Sequence, residues 1–135
     1  MKKNQIRLIG ERFWNTYVTR MGAAAVAAAN QRPEPDFVAP ISSLTIAAGR
    51  DATLQCEVEH LGQYRVAWIH VDRQTLLTID THVITRNERV QVRHQNYRTW
   101  QLEIRDVRLE DGGYYMCQLN TQPMKNQVGY LDVNK

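Results

Sequence analysis

From Ile41 onward, apolar and polar residues alternate with a period of two, and turn-forming residues interrupt the alternation every 8–12 positions. A period of two sends successive side chains to opposite faces of a strand. The pattern predicts strands near 42–48, 52–59, 64–71, 75–80, 82–85, 89–94, 99–105, 113–120 and 125–133. Many short strands at this spacing describe an all-β sandwich. In the second strand the alternation gathers Ala52, Leu54, Cys56 and Val58 on one face. Val66 joins Trp68 in the third, and Trp100, Leu102 and Ile104 alternate together later, with Val107 just beyond. Tyr115 and Cys117 share a face near the end of the chain. These residues form the expected core.

Four of them carry a signature. Cys56 and Cys117 are the sole cysteines, Trp68 follows the first by twelve positions, and Asp111-Gly-Gly-Tyr-Tyr-Met-Cys117 fits D-x-G-x-Y-x-C. A cysteine, a tryptophan and a tyrosine two places before a second cysteine mark an immunoglobulin sandwich. Nine strands rather than seven predict its variable-type Greek-key form, in which two extra short strands join the sheet carrying Trp68 and Cys117. One inter-sheet disulfide, Cys56–Cys117, is expected, with Trp68, Trp100, Leu102 and Tyr115 at the centre of the core. The Tyr115 hydroxyl should bond back to the main chain, and Arg89 is placed to pair with Asp111 across the bottom of the sandwich. A crosslink closing a loop of some sixty residues stabilises a fold by about 4 kcal/mol in the chain-entropy model. Such bonds persist in oxidising compartments, so the pair points to an extracellular or cell-surface protein. Two free thiols or a metal pair compete with this reading, without a C-x-x-C or a cysteine–histidine cluster to support them.

Reversing the parity on the tryptophan sheet is more informative. Ala67, Ile69 and Val71 then point away from the core, as do Tyr114, Met116, Gln118 and Asn120 on the neighbouring strand; Leu76 and Thr78 extend the surface and Met124 follows. A solvent-facing sheet should read polar on that side. This one is expected to present a contiguous exposed apolar patch, which usually marks a partner site; a following domain or a slip of one residue in parity would bury it instead.

Residues 1–40 differ in composition and read as a leader and linker, poorly ordered or partly helical, ahead of an immunoglobulin-like domain over 41–135. The leader has spaced Lys and Arg, then an alanine-rich run over 21–30 whose Ala27-Ala28-Ala29 end is similar to a cleavage site. A weak signal peptide and a misassembled first exon both fit it. Residues 31–40, with three prolines, read as an extended linker. No window offers ~18 uncharged apolar residues for an anchor. The formal net charge of +3 resides in this leader, because residues 41–135 hold eleven basic and eleven acidic side chains. The domain itself is balanced, so a nucleic-acid partner is not expected.

No catalytic constellation is present. His60, His70, His82 and His94 lie on separate strands or turns without ligand spacing for zinc, and Asp72 and Asp80 read as turn residues. There is no G-x-S-x-G, no glycine-rich phosphate loop and no Asn-x-Ser/Thr. Neither an enzyme nor a metal, cofactor or small-molecule substrate is expected.

Several runs go further: Val66-Ala-Trp-Ile-His-Val-Asp72, Leu77-Thr-Ile79, His82-Val-Ile-Thr-Arg-Asn87, Arg98-Thr-Trp100, Gly113-Tyr-Tyr-Met-Cys-Gln118 and Asn120 through Val133. Together they closely resemble the first immunoglobulin domain of the Dpr-interacting proteins, arthropod neuronal cell-surface receptors related to lachesin and the IgLON adhesion molecules. The resemblance covers about 41–133. It implies an adhesion module whose first domain binds the first domain of a Dpr protein, or another copy of itself as a homodimer, through the tryptophan-containing sheet. Carried over by position, the contact residues are Ala67, Ile69, Thr78, Met116, Gln118, Asn120, Met124 and Gln127. Family members have three such domains and often a lipid anchor, so a secreted single-domain binder or decoy, or a gene-model fragment of a longer receptor, are the alternatives for this chain.

Overall fold

The computed structural model describes residues 33–135; the expectations for positions 1–32 lie outside the described residues. Ten strands follow in order: β1 (Asp36–Ala39), β2 (Leu44–Ala47), β3 (Ala52–Glu59), β4 (Val66–His70), β5 (Thr75–Ile79), β6 (His82–Val83), β7 (Val90–Gln95), β8 (Thr99–Ile104), β9 (Gly113–Leu119) and β10 (Lys125–Asn134). They form a four-stranded sheet, β1-β3-β8-β7, and a six-stranded sheet, β2-β10-β9-β4-β5-β6. β5 and β6 are the two extra strands expected beside Trp68 and Cys117.

The stretch expected to be a linker over 31–40 contains β1, which pairs with β3 so that Phe37 opposes Val58. Pro35 and Pro40 suggested a linker, but prolines flanking an edge strand leave its ladder intact. After Pro40 the chain changes sheets, and β2 runs parallel to the end of β10.

The two sheets differ in how many faces they bury. β3 alternates strictly, with Ala52, Leu54, Cys56 and Val58 buried and their neighbours largely outside, and β8 does the same with Trp100, Leu102 and Ile104. That sheet has one wet face, as antiparallel sheets commonly do. β4 is buried at every position and β9 at all but one. The six-stranded sheet is therefore closed on both sides at its centre.

The main core fills the space between the sheets. Trp68, Trp100, Leu102, Tyr115 and Leu131 are among its fully buried side chains, and the Cys56–Cys117 disulfide crosses it from β3 to β9 over 61 positions. At the bottom, Arg89 donates from both terminal nitrogens to Asp111, Nη1 to Oδ2 at 2.7 Å and Nη2 to Oδ1 at 3.0 Å. Its Nη1 also donates to the Asp106 carbonyl at 3.0 Å, while the Arg108 N–H donates to Asp111 Oδ2 at 2.7 Å. The Tyr115 hydroxyl donates to the Asp111 carbonyl at 2.5 Å. One buried aspartate thus ties three segments of chain together.

Candidate functional site

The outer face of the six-stranded sheet is assembled by register. Across β4 and β9, Ala67 opposes Gln118 and Ile69 opposes Met116, while Trp68 opposes Cys117 on the core side. Directly opposed residues of an antiparallel pair share a face. Ile69, Val71 and Met116 form an apolar cluster separate from the main core, with Leu76, Tyr114 and Val128 packed against it. Ala67 and Ile79 form a second, flanked by Leu76 and Met124. Tyr114 and Tyr130 meet edge to face at 4.8 Å further along the same face.

Three expectations about this face are corrected. First, it is not an open patch: Ile69, Met116 and Gln118 have no exposed surface and Ala67 has 2%. Ile69, Val71 and Met116 pack on one another with the half-buried Leu76, Tyr114 and Val128 against them, and Leu76 and Met124 pack against Ala67 and Ile79. Second, Thr78 stands across from Trp68, not beside Ala67. A register shift between Trp68 and Ile69 inserts an extra β5 residue, and a bulge breaks the period of two. Ile79, not selected from the sequence, takes the place opposite Ala67. Third, Gln127 stands across from Cys117 and so shares the disulfide's side of the sheet, while Asn126 opposes Gln118 and Val128 opposes Met116. A parity count along β10, pinned to Leu131 in the core, would have given Asn126 and Val128.

The remaining contact candidates have defined neighbours. Gln118 Nε2 donates to Asn126 Oδ1 at 2.6 Å. Asn120, buried, accepts the Arg65 N–H at 2.6 Å through its side-chain oxygen, which holds the loop before β4 against the end of β9. Met124 is half-buried on the loop between β9 and β10. Asp80 accepts the Val66 N–H at 3.0 Å and pairs with Arg65 at 2.7 Å, and Asp72 accepts the Tyr114 N–H at 3.1 Å. Both aspartates therefore fasten turns to strands.

Three of the groups with shifted pKa values, His70, Asp111 and Tyr115, lie at the foot of the sandwich rather than on this face. His70 is buried and stacks flat on Tyr115, with centroids 4.4 Å apart, and its Nε2 is 3.3 Å from the Gly112 carbonyl. Burial pushes its pKa below the ordinary imidazole value, against the opposing pull of that carbonyl and of Asp72. Burial pushes the Asp111 carboxyl up, but the Arg89 guanidinium and the Arg108 N–H outweigh it and hold the group below its usual range. Burial, with Asp111 nearby, raises the Tyr115 phenol. The shifts of His70, Asp111 and Tyr115 each belong to a structural contact. At the opposite, loop-bearing end, a pocket of about 400 Å³ is lined by residues including Tyr64, Asp80, His82 and Tyr97, and none of the contact candidates reaches it.

Two sheets, one disulfide between them and the corner tyrosine define an immunoglobulin domain. Residues 35–129 match the immunoglobulin I-set domain family, and the chain belongs to it. It is 30% identical over 119 residues to "Zwei Ig domain protein zig-8" of Caenorhabditis elegans, covering 87% of this chain and 44% of that protein. It is also 30% identical over 91 residues to "Cell adhesion molecule 2" of Homo sapiens, covering 67% of this chain and 21% of the relative. The chain thus spans less than half the length of either. Among solved structures, it is similar to a chain in the crystal structure of Dpr1 IG1 bound to DIP-eta IG1, at 51% identity and a TM-score of 0.74, covering 75% of this chain and 96% of that one. It is likewise similar to the RIG-5 IG1 homodimer, at 31% identity and a TM-score of 0.71, covering 76% of this chain and 100% of that one. Several of the similar structures contain first immunoglobulin domains in pairs, some with a different partner and some with a copy of themselves.

Proposed function

We propose that this chain is an extracellular recognition and adhesion domain. It docks its six-stranded sheet against the first immunoglobulin domain of a Dpr-type protein or against a second copy of itself, at a cell surface and without catalysis. The observation that carries the reading is the apolar cluster of Ile69, Val71 and Met116 on the side of the sheet away from the disulfide core. A lone sandwich needs one core, between its sheets. A second apolar cluster outside it, with methionine and tyrosine prominent, has the composition of an interface centre. The pairing of first domains among the similar structures supports the same reading. The contact set becomes Ala67, Ile69, Ile79, Met116, Gln118, Asn126 and Val128, with Asn120 and Met124 at the margin. Docking has to uncover this centre, since its side chains are closed off in the chain alone.

The test is binding of purified Dpr1 first domain, and self-association by sedimentation, for the unmodified chain and for Met116→Asp. The aspartate should lower affinity at least about 30-fold, the scale of an interface hot spot, while near-ultraviolet circular dichroism from Trp68 and Trp100 is retained. Met116→Ala, with no buried charge, serves if the aspartate variant does not fold. Unchanged affinity in a folded variant would overturn the assignment of the face.

A further inference from the structure

Gln118 is a polar residue with no exposed surface in the middle of an apolar face. It lies on β9 between Ala67 of β4 and Asn126 of β10. Its Nε2 donates to Asn126 Oδ1 at 2.6 Å, and Asn126 itself reaches solvent. That bond fixes which way the carboxamide points, with nitrogen toward β10. Oε1 is left buried without a hydrogen-bond partner. A buried acceptor with nothing to accept from destabilises the chain that contains it. Thr78 Oγ1 and Gln127 Oε1 are also unpartnered, but those residues stand across from Trp68 and Cys117. Among the described residues, Gln118 Oε1 is the unmet acceptor aligned with the docking face.

We infer that Gln118 selects the partner: the domain that docks here presents an N–H or O–H donor from the centre of its own sheet to Gln118 Oε1. This rests on the reading of the face given above. The chemistry is discriminating because an apolar partner centre would leave the oxygen buried and unpaired in the complex, a larger penalty than a lost surface contact. Asn126 is the positioning residue, since it holds the amide nitrogen and so aims the oxygen. A second copy of this chain meets the requirement as well: each Nε2 has a hydrogen beyond the one given to Asn126, and can donate it to the other copy's Oε1.

Gln118→Met keeps length and removes both polar ends. In the free chain it should leave the urea midpoint unchanged or raise it, because an unsatisfied acceptor disappears. Its affinity for Dpr1 first domain, and its self-association, should nevertheless fall at least tenfold. A residue with only a structural role would move both measurements in the same direction. Asn126→Ala should weaken binding less than Gln118→Met, by freeing the amide to turn. If Gln118→Met binds as tightly as the unmodified chain while Met116→Asp does not bind, the acceptor is unused and this inference falls alone. If neither change affects binding, the docking face itself is wrong.

Discussion

Ile69 stands directly across from Met116, and one step along each strand Trp68 stands across from Cys117. The first pair belongs to the outer cluster and the second to the core between the sheets. Two apolar environments are thus separated by the thickness of one sheet. If the outer cluster is as closed as its burial states, Ile69→Ala and Met116→Ala should each lower stability by about 2–4 kcal/mol, the range for large-to-small changes at buried sites. The double variant should lose less than the sum, because the two side chains share one cavity. Urea denaturation checks this. Losses below about 0.5 kcal/mol would mean the pair is exposed like an ordinary surface.

How much of this was legible in the sequence follows from what sets each feature. Cys56, Trp68, Tyr115 and Cys117 are fixed by strand parity and spacing, and both are sequence properties. The outward set Ala67, Ile69 and Met116 followed from the same parity. The place of Thr78 was not legible because the bulge beside Trp68 is decided by pairing, which local alternation does not encode, whereas Gln127 was carried over by resemblance against the parity that Leu131 sets along β10. The closure of the outer face was not legible either, since period two says which way a side chain points and nothing about what lies over it. β1 was missed because its two flanking prolines outweighed a four-residue alternation.

The clamp of Arg89 on Asp111 gives a sharper stability prediction. Asp111 is buried and Arg89 is largely so. Removing one member strands the other charge, so Arg89→Met should cost about 3–5 kcal/mol. Asp111→Asn with Arg89 intact should cost a comparable amount, and the two changes together should cost clearly less than their sum. A double-mutant cycle in urea measures the coupling. Additive losses would show that the bidentate geometry contributes little.

His70 predicts how the domain responds to acid. Its pKa is lowered in the folded chain, chiefly by burial, whereas in the unfolded chain it returns to ~6.5. Between the folded and unfolded values the unfolded state binds the extra proton, so stability falls as pH drops below ~6.5. Asp72, Arg73 and Asp111 act on the same ring, but the Asp111 carboxyl, held low, contributes stability that is lost only as pH falls further, through its own depressed value. His70→Phe preserves the stack on Tyr115 and removes the proton. It should flatten the decline in stability just below pH 6.5 while leaving the steeper loss at carboxylate pH. A decline of equal slope in the variant would assign it to another group.

Reduction of the Cys56–Cys117 bond separates an extracellular sandwich from one built for a reducing compartment. The crosslink spans 61 positions, and opening a loop of that size should remove about 4 kcal/mol from stability if the unfolded chain is otherwise free. At a urea dependence of about 2 kcal/mol per molar, the midpoint should fall by roughly 2 M on reduction. Both cysteines are packed at the centre with no exposed surface, so reduction leaves no cavity, and the separation of two non-bonded thiols adds crowding to the loss of the crosslink. The comparison should therefore be made by reduction of the unmodified chain, with Cys56→Ala and Cys117→Ala together as a control that adds a packing defect. A midpoint that hardly moves on reduction would mean the sandwich stands on its packing alone. That result would remove the main physical reason, apart from its relatives, for placing the domain outside the cell.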